Sequence, residues 1–166
     1  MYTTISEFVQ DWTRESGTSL KVERALTDAS LQQKSDPEGN PLGKIAWHMV
    51  QMIGGMGAAA GLSIEAPARG TEPPSAAAAI ADAYETAARS MAEQASTKLK
   101  DEQLATEISA FGRSLTLASL LQSLVRHQIH HRAQMTILLR AAGLAVPSIY
   151  GPSREESAAI RAKQGR

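Results

Sequence analysis

The sequence predicts an all-α fold, a four-helix bundle with one long crossover connection. Four stretches of roughly 20 to 29 residues repeat apolar side chains every three to four positions, and none alternates convincingly like a strand. Between the second and third stretches, Ser63 to Pro74 holds Pro67, Gly70, Pro73 and Pro74. That segment is too long for a tight turn and reads as a connection running along the bundle.

The first helix is expected from about Thr4 to Leu26, with Ile5, Phe8, Val9, Trp12, Leu20 and Leu26 on its inward stripe. A polar segment with turn signals at Asp36-Pro37 and Glu38-Gly39 follows. Asn40-Pro41 then looks like a helix start, with Asn40 as cap and Pro41 at the first helical position. The second helix should run to about Ala60 with Pro41, Ile45, His48, Met52 and Gly55 inward, and Met49, Ile53 and Met56 beside them. Gly54, Gly55 and Gly57 weaken it intrinsically but permit close approach of another helix or subunit. A third helix is expected from Ser75 to about Leu99, burying Ile80, Ala83, Tyr84, Ala87, Met91, Ala95 and Leu99. The polar stretch Lys98 to Ala110 reads as a loop with a short turn of helix or strand. Ser114 is the expected cap of the fourth helix, and Gly143 its stop. Residues 1–166 read as one domain, with 146–166 as an extended tail and short terminal helix.

Lys plus Arg number 17 and Asp plus Glu number 17, so no net charge recruits nucleic acid or an acidic membrane surface. There is no cysteine, hence no disulfide and no protein thiol; this suits a cytoplasmic protein, as does an N-terminus without signal-peptide character. Ile45 to Ile64 runs for twenty residues without a formal charge, yet its glycines, His48 and Gln51 make it a packed helix rather than a membrane span.

Three of the four histidines lie in the fourth helix, within Arg126-His127-Gln128-Ile129-His130-His131-Arg132-Ala133-Gln134. His127 and His131 fall on the stripe of Leu117, Leu120, Leu124, Met135 and Leu138. Side chains four residues apart on a helix are neighbours, so two imidazoles at that spacing can reach one ion, about 2.0–2.1 Å from each nitrogen. His48, inward on the second helix, supplies the third donor. No Asp or Glu lies on the stripe, which favours an all-histidine set over a mixed one. The competing reading is that these are hydrogen-bonded core histidines, since such spacing also arises by chance. His130 is expected on the flank, as an edge residue or a group supporting the ligands. Gln134 is either a donor toward the metal site or a polar plug at the end of the stripe, and Arg126 and Arg132 are expected to face solvent.

Three blocks together resemble the DinB/YfiT-like superfamily of small metal-binding four-helix bundles. They are Leu42 to Val50 around His48, the run His127 to Gln134, and the ending Gly143 to Ser153. The second block is similar to a His-x3-His-Arg-Gly-Gln pattern, with Ala133 where glycine is common. The resemblance implies a divalent metal held by His48, His127 and His131, a bundle with one long crossover, and frequently a homodimer.

Three functions compete at this level. The first is a metal-dependent transferase with a low-molecular-weight thiol as cosubstrate, and the second a hydrolase that activates water at the metal. The third is a metal-binding stress-response bundle without turnover. Weak candidates for catalytic roles are Gln134 and His130. Zinc or nickel is favoured, with iron, cobalt or manganese as alternatives. A small-molecule substrate is expected, with a homodimer as the assembly.

Overall fold

Local capping chemistry sets the boundaries of the four long helices. In the structure, a computed structural model that describes residues 1–165, α1 spans Ile5–Glu23, α2 Leu42–Ala59, α3 Ala77–Lys98 and α4 Leu117–Ala141. Thr4 accepts from the Glu7 amide while the Glu7 carboxylate accepts from the Thr4 amide, a reciprocal pair that opens α1. Two short 3-10 turns, Asp28–Gln32 and Asp101–Ala105, deliver carboxylates to helix starts elsewhere. Asp101 Oδ1 accepts from Ile5 N and Asp28 Oδ1 from Ala77 N, each at 2.7 Å. Both place negative charge where exposed amides and the helix dipole favour it.

Three predicted starts shift. Pro41, not Asn40, occupies the cap of α2, and no side chain caps it. Ala76 replaces Ser75 at the cap of α3, because Asp28 supplies the acceptor from outside the segment. Thr116 rather than Ser114 caps α4, accepting from Ser119 N at 3.2 Å. Ser114 instead lies in an antiparallel hairpin of β1 (Glu107–Ala110) and β2 (Arg113–Thr116) that the sequence reading did not anticipate. Strands of four residues are too short to display alternation. The turn is Phe111-Gly112, both with positive φ, so Phe111 stands where Asn or Asp would have been the usual signal. The tail contains α5 (Arg154–Lys163); the terminal helix expected to reach Arg166 ends before that residue, which lies outside the described residues.

Helix α1 packs on α3 and α4, and α2 packs on the same two from the other side. The core between them includes Phe8, Trp12, Leu42, Met49, Ile53, Ile80, Tyr84, Met91 and Leu124, all fully buried. Trp12 adds a polar tie, its indole donating to Ala88 O at 2.9 Å. After α2 the chain reverses and runs back along it. Ile64 sits against Gly57, Ala66 against Gly54, and Thr71 receives hydrogen bonds from Gln51 and Trp47. Helices α2 and α3 therefore begin at the same end, which is the long crossover. The bare surfaces of Gly54 and Gly57 are filled by this crossover, while Gly55 faces open space. The uncharged run Ile45 to Ile64 breaks at Ala59 as α2 ends; among the described residues no helix is long and apolar enough to cross a membrane.

The buried faces are wider than a single apolar stripe. Alongside its leucines, α4 buries Gln128 and Arg132, and α1 buries Glu15, Ser19 and Glu23 in line. Gln128 is satisfied, accepting from Tyr84 OH at 3.1 Å and donating to Met49 O at 3.2 Å. Glu23 is not: both its oxygens are enclosed without a partner, and desolvation pushes its pKa up to about 8.

Gly57→Ala would drive a methyl into Ile64, so it should lower stability by about 1–3 kcal/mol despite better helix propensity. Gly55 has open space around its Cα, and Gly55→Ala should raise stability by about 0.5–1 kcal/mol, both changes being read by denaturant unfolding. For Glu23 the folded state holds a proton that the unfolded chain releases, so stability declines as pH rises toward about 8 and levels off beyond it. Melting curves of Glu23→Gln against pH should be flatter over that window and higher at its alkaline end.

Candidate metal centre

Helix periodicity and two polar anchors bring the histidines together. On α4, His127 and His131 lie one turn apart in the row of Leu120, Leu124, Met135 and Leu138. The adjacent row carries Arg132, whose guanidinium is 1 % exposed. It pairs with Glu15 Oε2 at 2.8 Å and donates to Glu15 O at 3.0 Å and Ser19 Oγ at 3.3 Å. Tyr150 from the tail donates to the same carboxylate at 2.6 Å, and its ring lies against the guanidinium. The expectation that Arg132 faces solvent is therefore wrong. An arginine on a polar-looking helix face gives no sign of a partner 117 residues away. The only cue was Glu15, Ser19 and Glu23 at helical spacing on α1, which composition alone reads as a solvated face. Arg126 is exposed as expected.

With α4 rotated this way, its histidine row faces α2. His48 Nε2 lies 3.1 Å from His127 Nε2, and His131 Nε2 lies 3.2 Å from the same atom. Among the described residues these three are the group of donors positioned to bind a metal ion. Two nitrogens each about 2.0–2.1 Å from a tetrahedrally bound ion would stand about 3.3 Å apart, so the spacing fits a shared cation. The donor chemistry fits as well. Burial lowers all three basicities, and the rings depress one another: His127 falls to about 4, from burial first and then from His131, His48 and His130. His48 is lowered by burial, His131 and Arg69; His131 is lowered by burial and His130, against a bond to Gln134 that raises it. Neutral imidazoles at neutral pH present lone pairs rather than protons.

Gln134 acquires a definite part. Its Oε1 accepts from His131 Nδ1 at 2.7 Å, which leaves the proton on Nδ1 and turns the Nε2 lone pair toward the cluster. Neither reading of Gln134 named this contact, in which its oxygen accepts from the outer nitrogen of His131 instead of its amide donating toward the metal site. His130 stays outside: its ring is exposed, edge-on to His131 with centroids 4.9 Å apart, and it adds no atom to the cluster. Beside the triad lies a hollow of about 500 Å³, lined by Lys44, Ile45, His48, His131, Gln134 and Leu138 among others. Its wall includes no carboxylate.

A sequence model of the DinB family matches residues 1–165. The chain belongs to the DinB family. It is 40% identical over 156 residues to the uncharacterized protein YrdA of Bacillus subtilis, covering 94% of this chain and 93% of that one. A crystal structure of a DinB-like protein from Bacillus cereus matches at 39% identity with a TM-score of 0.86, over 90% of this chain and 100% of the other. A Bacillus subtilis DinB-like protein, YjoA, shares the fold at 15% identity and a TM-score of 0.69, covering 88% and 99% of the two chains. DinB membership and the three-histidine cluster thus agree with the bundle and with the grouping of His48, His127 and His131.

The Arg132 anchor can be tested apart from any metal. Arg132→Met removes the buried counter-charge of Glu15, leaving only the exposed Arg14 at 3.5 Å from its other oxygen, and should cost about 3–5 kcal/mol. Thermal unfolding should fall by roughly 10 °C or more. Removing both charges, as Glu15→Leu with Arg132→Met, should recover much of that loss.

Proposed function

We propose that this DinB protein is a divalent-metal enzyme that transfers a low-molecular-weight thiol to an electrophilic small molecule. The observation that carries the reading is the convergence of three neutral imidazoles, 3.1 and 3.2 Å apart at their Nε2 atoms, two of which, His48 and His131, border a hollow of about 500 Å³. His48, His127 and His131 would hold the ion, and Gln134 keeps His131 in the ligating tautomer. Three uncharged ligands leave a divalent ion its full charge, so when bound it lowers the pKa of a thiol or of water nearby.

What favours thiol over water is the lining of the hollow. Water starts from a far higher pKa than a thiol and so gains more from a base beside the metal, and no Asp or Glu borders the site. A thiol needs no such base once its pKa has dropped. The chain itself has no cysteine, so the nucleophile arrives with the cosubstrate. The open hollow also argues against a closed, purely structural metal site. Ile45 and Leu138 supply apolar walls for an acceptor. Zinc or nickel suits an all-imidazole set with room for an exogenous sulfur.

Elemental analysis of untagged protein should find close to one divalent metal per chain. His48→Ala, His127→Ala and His131→Ala should each lose most of it. Protons compete for the same lone pairs, so metal retention should fall as pH drops below the ordinary histidine range. Metal-loaded protein should consume glutathione, mycothiol or bacillithiol only when a chlorinated aromatic acceptor is present. Turnover of activated esters without thiol consumption would establish hydrolysis instead.

A further inference from the structure

The wall of the hollow carries charge of one sign. Lys44 lies one turn before His48 on the same face of α2 and borders the hollow together with His48 and His131. Its position is unfavourable for the helix alone, since a cation in the first turn opposes the dipole. No carboxylate among the described residues lies within ion-pairing distance of it. Asp28 and Glu72 border a separate depression on the other side of Lys44, yet neither pairs with it.

A second cation comes from the crossover. Gln51 donates to Ala68 O at 2.9 Å and to Thr71 O at 3.0 Å, and Trp47 donates to Thr71 O at 2.9 Å. These bonds clamp both ends of the four-residue segment Ala68 to Thr71, which carries Arg69. The exposed Arg69 has no ion-pair partner among the described residues, and its charge is one of the influences that hold His48 neutral. Two unpaired cations thus stand on this side of the site, Lys44 in the wall of the hollow itself and Arg69 on the crossover segment that Trp47 and Gln51 hold. Across the hollow the surface is apolar: Ile45, Leu138 and Ile137, the last 66% exposed.

We infer that Lys44 and Arg69 select a ligand carrying an anionic group, such as a carboxylate, on a short apolar stem whose other end reaches the metal. The inference rests on the thiol-transfer reading and names the class of thiol or acceptor that the site prefers. Lys44 is the direct clamp, being part of the wall. Arg69 adds to the field that draws the anion in, an effect that salt weakens. A hollow of about 500 Å³ accommodates a compact ligand of this kind.

The test uses a matched pair of thiols that differ only in charge, 3-mercaptopropionate and 3-mercaptopropionamide. Each is titrated into cobalt-loaded protein, and binding is read from sulfur-to-cobalt charge-transfer absorption. The acid should bind at least about tenfold tighter than the amide at low salt, a preference of about 1.4 kcal/mol. Lys44→Gln should shrink the ratio to about threefold or less by weakening the acid alone, and Lys44→Arg should keep most of it. Arg69→Gln should give a smaller loss, and added salt should reduce the ratio in the parent. Equal affinities in the parent, or a ratio unchanged in the Lys44→Gln, Arg69→Gln double variant, would overturn this inference while leaving thiol binding in place. Cobalt-loaded protein that shows no sulfur band with either compound would overturn the thiol-transfer reading and this inference together.

Discussion

The buried pair of Glu15 and Arg132 sets the rotation of α4 about its own axis, and the site depends on that rotation. Arg132 directly follows His131, so the two side chains point about 100° apart. Sinking the guanidinium toward α1 turns the His127 and His131 row toward α2, where His48 waits. A charge enclosed in the core has only one acceptable arrangement, with its donors satisfied by Glu15, Ser19 and Tyr150. Apolar residues in its place would tolerate a range of rotations. The pair therefore contributes register more than raw stability, in keeping with the usual balance between desolvation and Coulomb attraction.

The same anchor couples the tail to the centre. Tyr150 reaches the Glu15 carboxylate from beyond α4, after Gly143 ends the helix in the left-handed conformation. The tail is thus held where α1 meets α4, at the Glu15 and Arg132 pair. Polar burial elsewhere has the same character, with Gln128 bridging Tyr84 of α3 and the Met49 carbonyl of α2. Each of these groups joins two or three helices at once. Glu23 differs, a carboxyl enclosed without a partner, and it makes stability fall as pH rises toward about 8.

The metal centre and the crossover also share their supports. Trp47 and Gln51, flanking His48 on α2, hold the returning chain, and Gly54 and Gly57 give it room. A helix that seemed weakened by glycine is stabilised by the segment those glycines admit. The result is a His48 whose neighbours on both sides are committed to backbone contacts, with the imidazole left free to point at α4.

Much of the site was legible in the sequence, because helical spacing is a local property. His127 and His131 at i and i+4, with apolar residues before and after them, place two rings side by side whatever the rest of the chain does. The four helices follow from the same periodicity, and the crossover from its prolines and length. The hairpin escaped because four-residue strands carry too little pattern and Phe111 occupies an unusual turn position. Which of two adjoining rows on α4 bears a buried arginine, and which carboxylate of α1 meets it, is a question of partners more than 100 residues apart. The chain by itself determined the helices, the spacing of the donors and the absence of a protein thiol. The approach of His48 to the α4 pair, the tautomer held by Gln134 and the one-signed wall of the hollow were decided by packing, since each depends on contacts between segments distant in sequence.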